Sequence, residues 1–332
     1  MNGTTSAPAT ETTTETATAE PRAFLSLRGM SWVAWRSNRT ALLLLIAFTV
    51  GVAAYSVYHR FGVVEFLNSP RLAELGGLRH ADEETINKLI PLVQFLPAAL
   101  GVFIGAPLLA SEYENRTLRL TSTQSVGRLR VVMTAVAVPL VVVVLCVSVL
   151  SAALTSLWHP ARGVHNGGNW WDGGIFFATG PLPVAFSLFT VSAGILAGAV
   201  LRRSVAAMAI TLAGPALTGA VALERLRTWL AEPHRLIYPA GTDSPALKPG
   251  EVWVDNWVAT ADGQVHGWGT CVKFSEKKSE ECRAELGIVN DAIDYVTLAQ
   301  MPGLQWTISG ILLVMAAVAI VSTVWWTHRR SL

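Results

Sequence analysis

Residues 131–157 read VVMTAVAVPLVVVVLCVSVLSAALTSL, twenty-seven positions without one Asp, Glu, Lys or Arg. As an α-helix this run is about 40 Å long at 1.5 Å per residue, more than the ~30 Å hydrocarbon core of a bilayer. It therefore crosses with a tilt, or kinks at Pro139 and lets its ends protrude. Five more stretches are equally free of charge: 41–58, 91–110, 178–201, 204–222 and 304–326. The 25 Lys and Arg and the 23 Asp and Glu all lie outside these six runs. Only 14% of the chain is charged, against about 25% in soluble domains, and 52% is hydrophobic. A membrane-spanning helix needs roughly 20 mostly apolar residues. These runs predict an all-α membrane protein with six transmembrane helices.

Charge bias orients the spans. With the N-terminus in the cytoplasm, the inner pieces 22–40, 111–130, Arg202–Arg203 and 327–332 hold twelve Lys or Arg. The short outer loops 59–90 and 158–177 hold five over a slightly longer stretch. The positive-inside rule then puts both termini in the cytoplasm of a plasma-membrane protein, with the segment 111–130 inside and 223–303 outside. Residues 1–21, rich in Thr, Ala and Glu, read as a disordered tail and not as a signal peptide. Residues 22–222 carry the first five spans, 223–303 an extracellular cap, and 304–332 the sixth span with its basic tail.

The connecting segments supply the detail. FLSLRGMSWVAWRS (24–37) mixes Trp32 and Trp35 with Arg28 and Arg36, which suits an interfacial helix before the first span; the alternative is the frayed start of that span. In the loop 59–90 the stretch from Pro70 predicts one or two short helices. EVWVDNWVATADGQVHGWGTCVKF (251–274) reads as two strands around an Ala-Asp-Gly turn. SEKKSEECRAELGIVNDAIDYV (275–296) reads as a helix with Leu286, Val289 and Ile293 on one face. The cap is thus expected to be a small α+β unit. Its Cys271 and Cys282 pair as a disulfide or stay as two free thiols, and Cys146 is an apolar filler of the third span. His159 and His165 lack acidic or Cys partners at ligand spacing, so no metal is expected. Gly101-x-x-x-Gly105 and Gly194-x-x-x-Gly198 are spacings that let helices approach closely.

No G-x-x-x-x-G-K-[ST], H-E-x-x-H or G-x-S-x-G motif is present. Nor do the six runs contain an ionisable group of the kind that proton- or ion-coupled carriers place in the bilayer. Neither an enzyme, nor a cofactor site, nor a nucleic-acid partner is indicated.

Between the second and third runs lies LLASEYENRTLRLTSTQSVGRLR (108–130), with six charges. Ser111 followed by Glu114 has the form of a capping box, and Glu112 with Glu114 suits the first turn of a helix. Arg116 and Arg119 follow, and Gly127 marks a break before the next span. The residues alone leave two readings, a cytoplasmic surface helix or a charged connector.

This segment resembles the cytoplasmic link between spans two and three of type-2 (ABC-2 type) ABC transporter permeases. Their pattern is close to E-x-E-x-x-T-x-x-L-x-x-T/S-x-x-V/S-x-R, which Glu112, Glu114, Thr117, Leu120, Thr123, Val126 and Arg128 meet. Arg116 stands where the family often has Gly. Residues 180–212 and STVWWTHRR (322–330) resemble the fourth and fifth spans and the basic C-terminal end of actinobacterial-type members. The resemblance implies the membrane subunit of an exporter, paired with a second copy or a sister permease. ATP would be hydrolysed by separately encoded ABC ATPase subunits. The segment 111–130 would be the coupling helix in a cleft of the ATPase, with Glu112, Glu114, Arg116 and Arg119 supplying charge complementarity. Tyr113 and Leu118 would be the apolar anchors, beside Thr117. Two other classes stay open: an ion- or proton-coupled carrier or channel, and a membrane-anchored structural or sensory protein that works through the loop 223–303. The substrate is not legible.

Overall fold

The computed structural model describes residues 30–114, 128–165, 167–272 and 275–329. Six of its helices are long and apolar enough to cross a membrane. Span 1 is Asn38–Leu67, span 2 His80–Glu114, span 3 Met133–Ala161, span 4 Leu182–Leu201, span 5 Ser204–Leu230 and span 6 Gln300–Arg329. Most exceed the charge-free runs by several residues, because charged residues continue each helix past its apolar stretch. The helix of span 1 begins at Met30 and runs unbroken to Leu67. The described part of 24–37 is therefore a continuation of span 1 and not a separate interfacial helix.

Two runs of buried side chains hold the spans together. At the end that carries the sheet described below, Phe66, Leu150, Trp170, Phe176 and Ile308 share one cluster. Toward the opposite end, Leu42, Leu109, Val143 and Ile195 share another. Where spans cannot hide polar groups by pairing, hydroxyls fold back on their own helix. Thr49 donates to the Leu45 carbonyl and Ser56 to that of Val52, each at 2.8 Å.

Spans 2 and 4 approach most closely, through the two glycine pairs. A Cβ on Gly105 would sit 2.5 Å from the Val191 carbonyl, and one on Gly198 would sit 2.4 Å from that of Ala106. Likewise, Gly194 faces the Gly101 carbonyl at 2.5 Å. The two spacings seen in the sequence are thus each other's partners. Span 2 adapts with Pro91 and Pro97 in its first half and a π-helical turn over Gly101–Gly105. Proline breaks the regular ladder, and π turns are a common way to re-pair the freed backbone. Thr190 of span 4 donates to the Pro97 carbonyl at 2.6 Å, binding the irregular stretch to its neighbour.

Between spans 5 and 6 lies a four-stranded antiparallel sheet in the order β1-β4-β2-β3. The strands are β1 His234–Pro239, β2 Glu251–Thr260, β3 Val265–Gly267 and β4 Ile288–Thr297. The β2–β3 hairpin turns at Asp262–Gly263, with Gly263 at φ +85°. The stretch 275–296 departs from expectation. Its helix covers only Glu276–Glu285, and Val289 and Ile293 lie on β4. Gly287 at φ +66° stops the helix, and the β-branched residues beyond it suit a strand paired on both edges. Asp294 locks this sheet. It is buried, accepts two 2.7 Å bonds from Arg235, and accepts a third from the Trp257 indole at 2.7 Å. The Asp294 hydrogen bonds hold the Arg235 pKa above its usual value.

Two outcomes follow. Replacing Gly194 with Leu should lower stability by on the order of 2 kcal/mol or more, since overpacking forces backbone apart. Thermal unfolding in detergent measures this, and Gly51→Ala, which meets nothing within 4 Å, should leave it unchanged. Asp294→Ala should destabilise the sheet by removing its hydrogen bonds to Arg235 and Trp257, read as faster proteolysis within 234–297.

Candidate functional site: the clasp between spans 2, 4 and 5

The polar segment after span 2 was expected to begin a new helix at Ser111. Instead Ser111, Glu112, Tyr113 and Glu114 are helical residues of Ala106–Glu114, the last described residues of span 2. Ser111 is therefore not an N-cap. Glu114 finds a partner ninety residues on. Its Oε1 accepts the Ser204 backbone N–H at 3.0 Å, and its Oε2 accepts the Ser204 hydroxyl at 2.7 Å. Ser204 opens span 5, so Glu114 satisfies one of the orphan donors of that helix and sits at the positive end of its dipole. The capping role predicted for this acid exists, but on another helix.

The hinge that presents Ser204 is two residues long. Arg202 ends span 4 at φ 56°, ψ 21°, and is the one non-glycine residue of positive φ among those described. Its N–H bonds back to Gly198 at 3.0 Å. Arg203 is extended, at φ −135°. A left-handed cap is usually Gly, because a Cβ costs roughly 1 kcal/mol or more there. Arg202 offsets this through its side chain, whose guanidinium lies 5.1 Å from the centre of the Tyr113 ring, within cation–π reach. Tyr113 and Glu114 thus grip the hinge at two adjacent points. Glu112 is half-buried beside them. Arg116, Thr117, Leu118 and Arg119 lie outside the described residues.

Elsewhere, Cys271 and Cys282 are joined as a disulfide with Cα atoms 5.6 Å apart, and Cys146 is buried and free. Among the described residues no group of three His, Cys, Asp or Glu is placed to hold a metal. Two arrangements escaped sequence reasoning. Arg227 is buried on span 5, paired with Glu224, and stacked 4.3 Å from the Trp171 ring centre with Phe176 and Phe177 near. Gln305 of span 6 donates to the carbonyls of Phe176 and Thr179 at 2.9 and 3.0 Å, fixing the loop that starts span 4. The Glu114 clasp had one local signal, a Ser directly after two Arg at the head of an apolar run, which is where a helix wants an oxygen.

The family comparison fits this arrangement. A model described as ABC-2 membrane transporter related matches residues 37–227, more than half the chain, and ends within span 5. The chain belongs to that family. It is the membrane (permease) component of an ABC transporter and a multi-pass transmembrane protein. No curated protein and no solved structure matches it. The matched region contains spans 1 to 4, the clasp and most of span 5, while the sheet and span 6 lie beyond it.

Glu114→Ala should lower stability by removing a side-chain helix cap. Ser204→Ala removes only the hydroxyl contact and should cost less. Chemical unfolding of the two variants in detergent checks the order.

Proposed function

We propose that the chain exports a substrate across the plasma membrane, driven by ATP hydrolysed on a separately encoded ABC ATPase subunit docked on the segment 111–130. The observation that carries this reading is the clasp. In this reading a partner pushing on the polar segment pushes on span 2, and Tyr113 and Glu114 pass that push to the tail of span 4 and the head of span 5. A charged connector would need no such grip. In this reading Glu112, Arg116, Thr117 and Arg119 face the ATPase with polar contacts, and Leu118 inserts as an anchor, the pattern of a small apolar centre with a charged rim.

The second permease subunit of the family fits the remaining apolar surface. Spans 1 and 5 bury the smallest share of their residues within the subunit, and span 5 exposes Val205, Ile210, Leu217 and Val221. A homodimer or heterodimer would cover such a face, and lipid would cover the rest. With both termini and the clasp in the cytoplasm, the sheet with its disulfide faces the oxidising outside, where Cys271–Cys282 would persist.

Reversing both charges, Glu112→Lys with Glu114→Lys, should abolish co-purification of the partner ABC ATPase. Undiminished association together with undiminished permease-dependent ATPase activity would remove the segment from the docking role. Arg202→Gly separates holding from transmission. It relieves the left-handed strain, so unfolding stability should stay within about 1 kcal/mol while permease-dependent ATPase stimulation drops severalfold in the reconstituted complex.

A further inference from the structure

Near the sheet end, spans 3, 4 and 6 leave a groove of about 770 Å³ that also reaches Arg60 of span 1. Its composition is graded. At the mouth stand two bases, Arg60 and His159, and among the described lining residues there is no Asp or Glu. Arg60 is steadied by its Nε, which donates to the Ser156 carbonyl at 3.1 Å. The guanidinium keeps further N–H donors for a ligand. Below the mouth the wall is mostly apolar, with Val184, Leu313 and Trp306, which is 65% exposed, interspersed with Ser151 and Thr155, whose hydroxyls bond to backbone carbonyls.

The groove descends along span 3 from His159 to Ser148. Ser148 precedes Trp158, the last residue of that helix, by ten positions, about 15 Å at 1.5 Å per residue. That is half of the ~30 Å hydrocarbon core, the depth of one leaflet. Deep in the wall sits Ser309 of span 6, 1% exposed, whose Oγ has no hydrogen-bond partner. An unpaired buried hydroxyl is costly unless something completes it. Trp306 and Leu313 of its wall are exposed on a helix long and apolar enough to cross a membrane, which suits an occupant drawn from the bilayer with a negative head, an acceptor oxygen a few ångströms down, and an apolar tail.

We propose that this groove is a specific site for an anionic phospholipid of the leaflet on the sheet side. The phosphate faces Arg60 and His159, an ester oxygen accepts from Ser309, and the acyl chains lie on Leu313 and Trp306. One basic side chain facing an anionic lipid is worth about a fivefold change in occupancy. The site is separate from the clasp, which lies at the other end of spans 2, 4 and 5.

The test uses the full chain, purified from bilayers holding equal phosphatidylglycerol and phosphatidylcholine, with retained lipid counted by native mass spectrometry. Wild type should retain phosphatidylglycerol in clear excess. R60Q should lower that excess about fivefold, and R60K should keep most of it. S309L, which fills the groove, should lower the total of retained lipid; if it fails to fold, the R60Q and R60K pair decides. Equal retention of both lipids by the wild type, or an R60Q ratio equal to wild type, overturns the proposal. So does an R60Q chain that changes oligomer size with its lipid ratio intact, because the groove would then belong to a second subunit.

Discussion

Within a bilayer, helices gain nothing by hiding apolar surface from water, so close backbone contact has to hold them. Here that contact is the meeting of spans 2 and 4 across Gly101, Gly105, Gly194 and Gly198. Each glycine lies against a carbonyl of the opposite helix, too near for any side chain. Once these two spans are fixed, much else is positioned. Span 4 carries the Arg202 hinge at one end and the Gly180 turn at the other, and Gln305 attaches span 6 to that turn. Span 2 carries Tyr113 and Glu114, which must reach the hinge in register. A shift of one turn along the glycine seam would move Glu114 about 5 Å from Ser204 and break both bonds.

The clasp then gives the packing a direction. Glu114 bonds the first residue of span 5 and not its own helix, and Arg202 is strained in a slot that glycine would fill more easily. Neither residue serves the local stability of its own element. Both are explained by the contact between elements, since the acid caps span 5 and the base covers the Tyr113 ring. Strain held at such a junction is a way to keep a joint in one state until a partner moves it.

The six spans were legible because each is an unbroken apolar run, and the β2–β3 hairpin because Ala-Asp-Gly admits few other conformations. Failures came where a residue answers to something distant in sequence. Ser111–Glu114 has the spacing of a capping box, yet the apolar run before it simply continues as helix, and span 5 supplies the true partner of the carboxylate. Val289 and Ile293 share a helical face on paper, but Gly287 ends the helix and β1 and β2 recruit the residues beyond it. The pairing of the two glycine motifs was open for the same reason. A spacing shows that a helix can be approached closely, and only the fold shows by what.

The two ends of the bundle divide the work accordingly. At the hinge end, polar groups contact one another across elements through exposed or half-buried side chains, which a docking partner can rearrange at little cost. At the sheet end, several polar groups are buried and held across elements. Asp294 holds three donors, Gln305 holds two carbonyls, and Arg227 is enclosed by aromatic rings. Buried networks of this kind lose several kcal/mol if any member moves away, so they resist repacking.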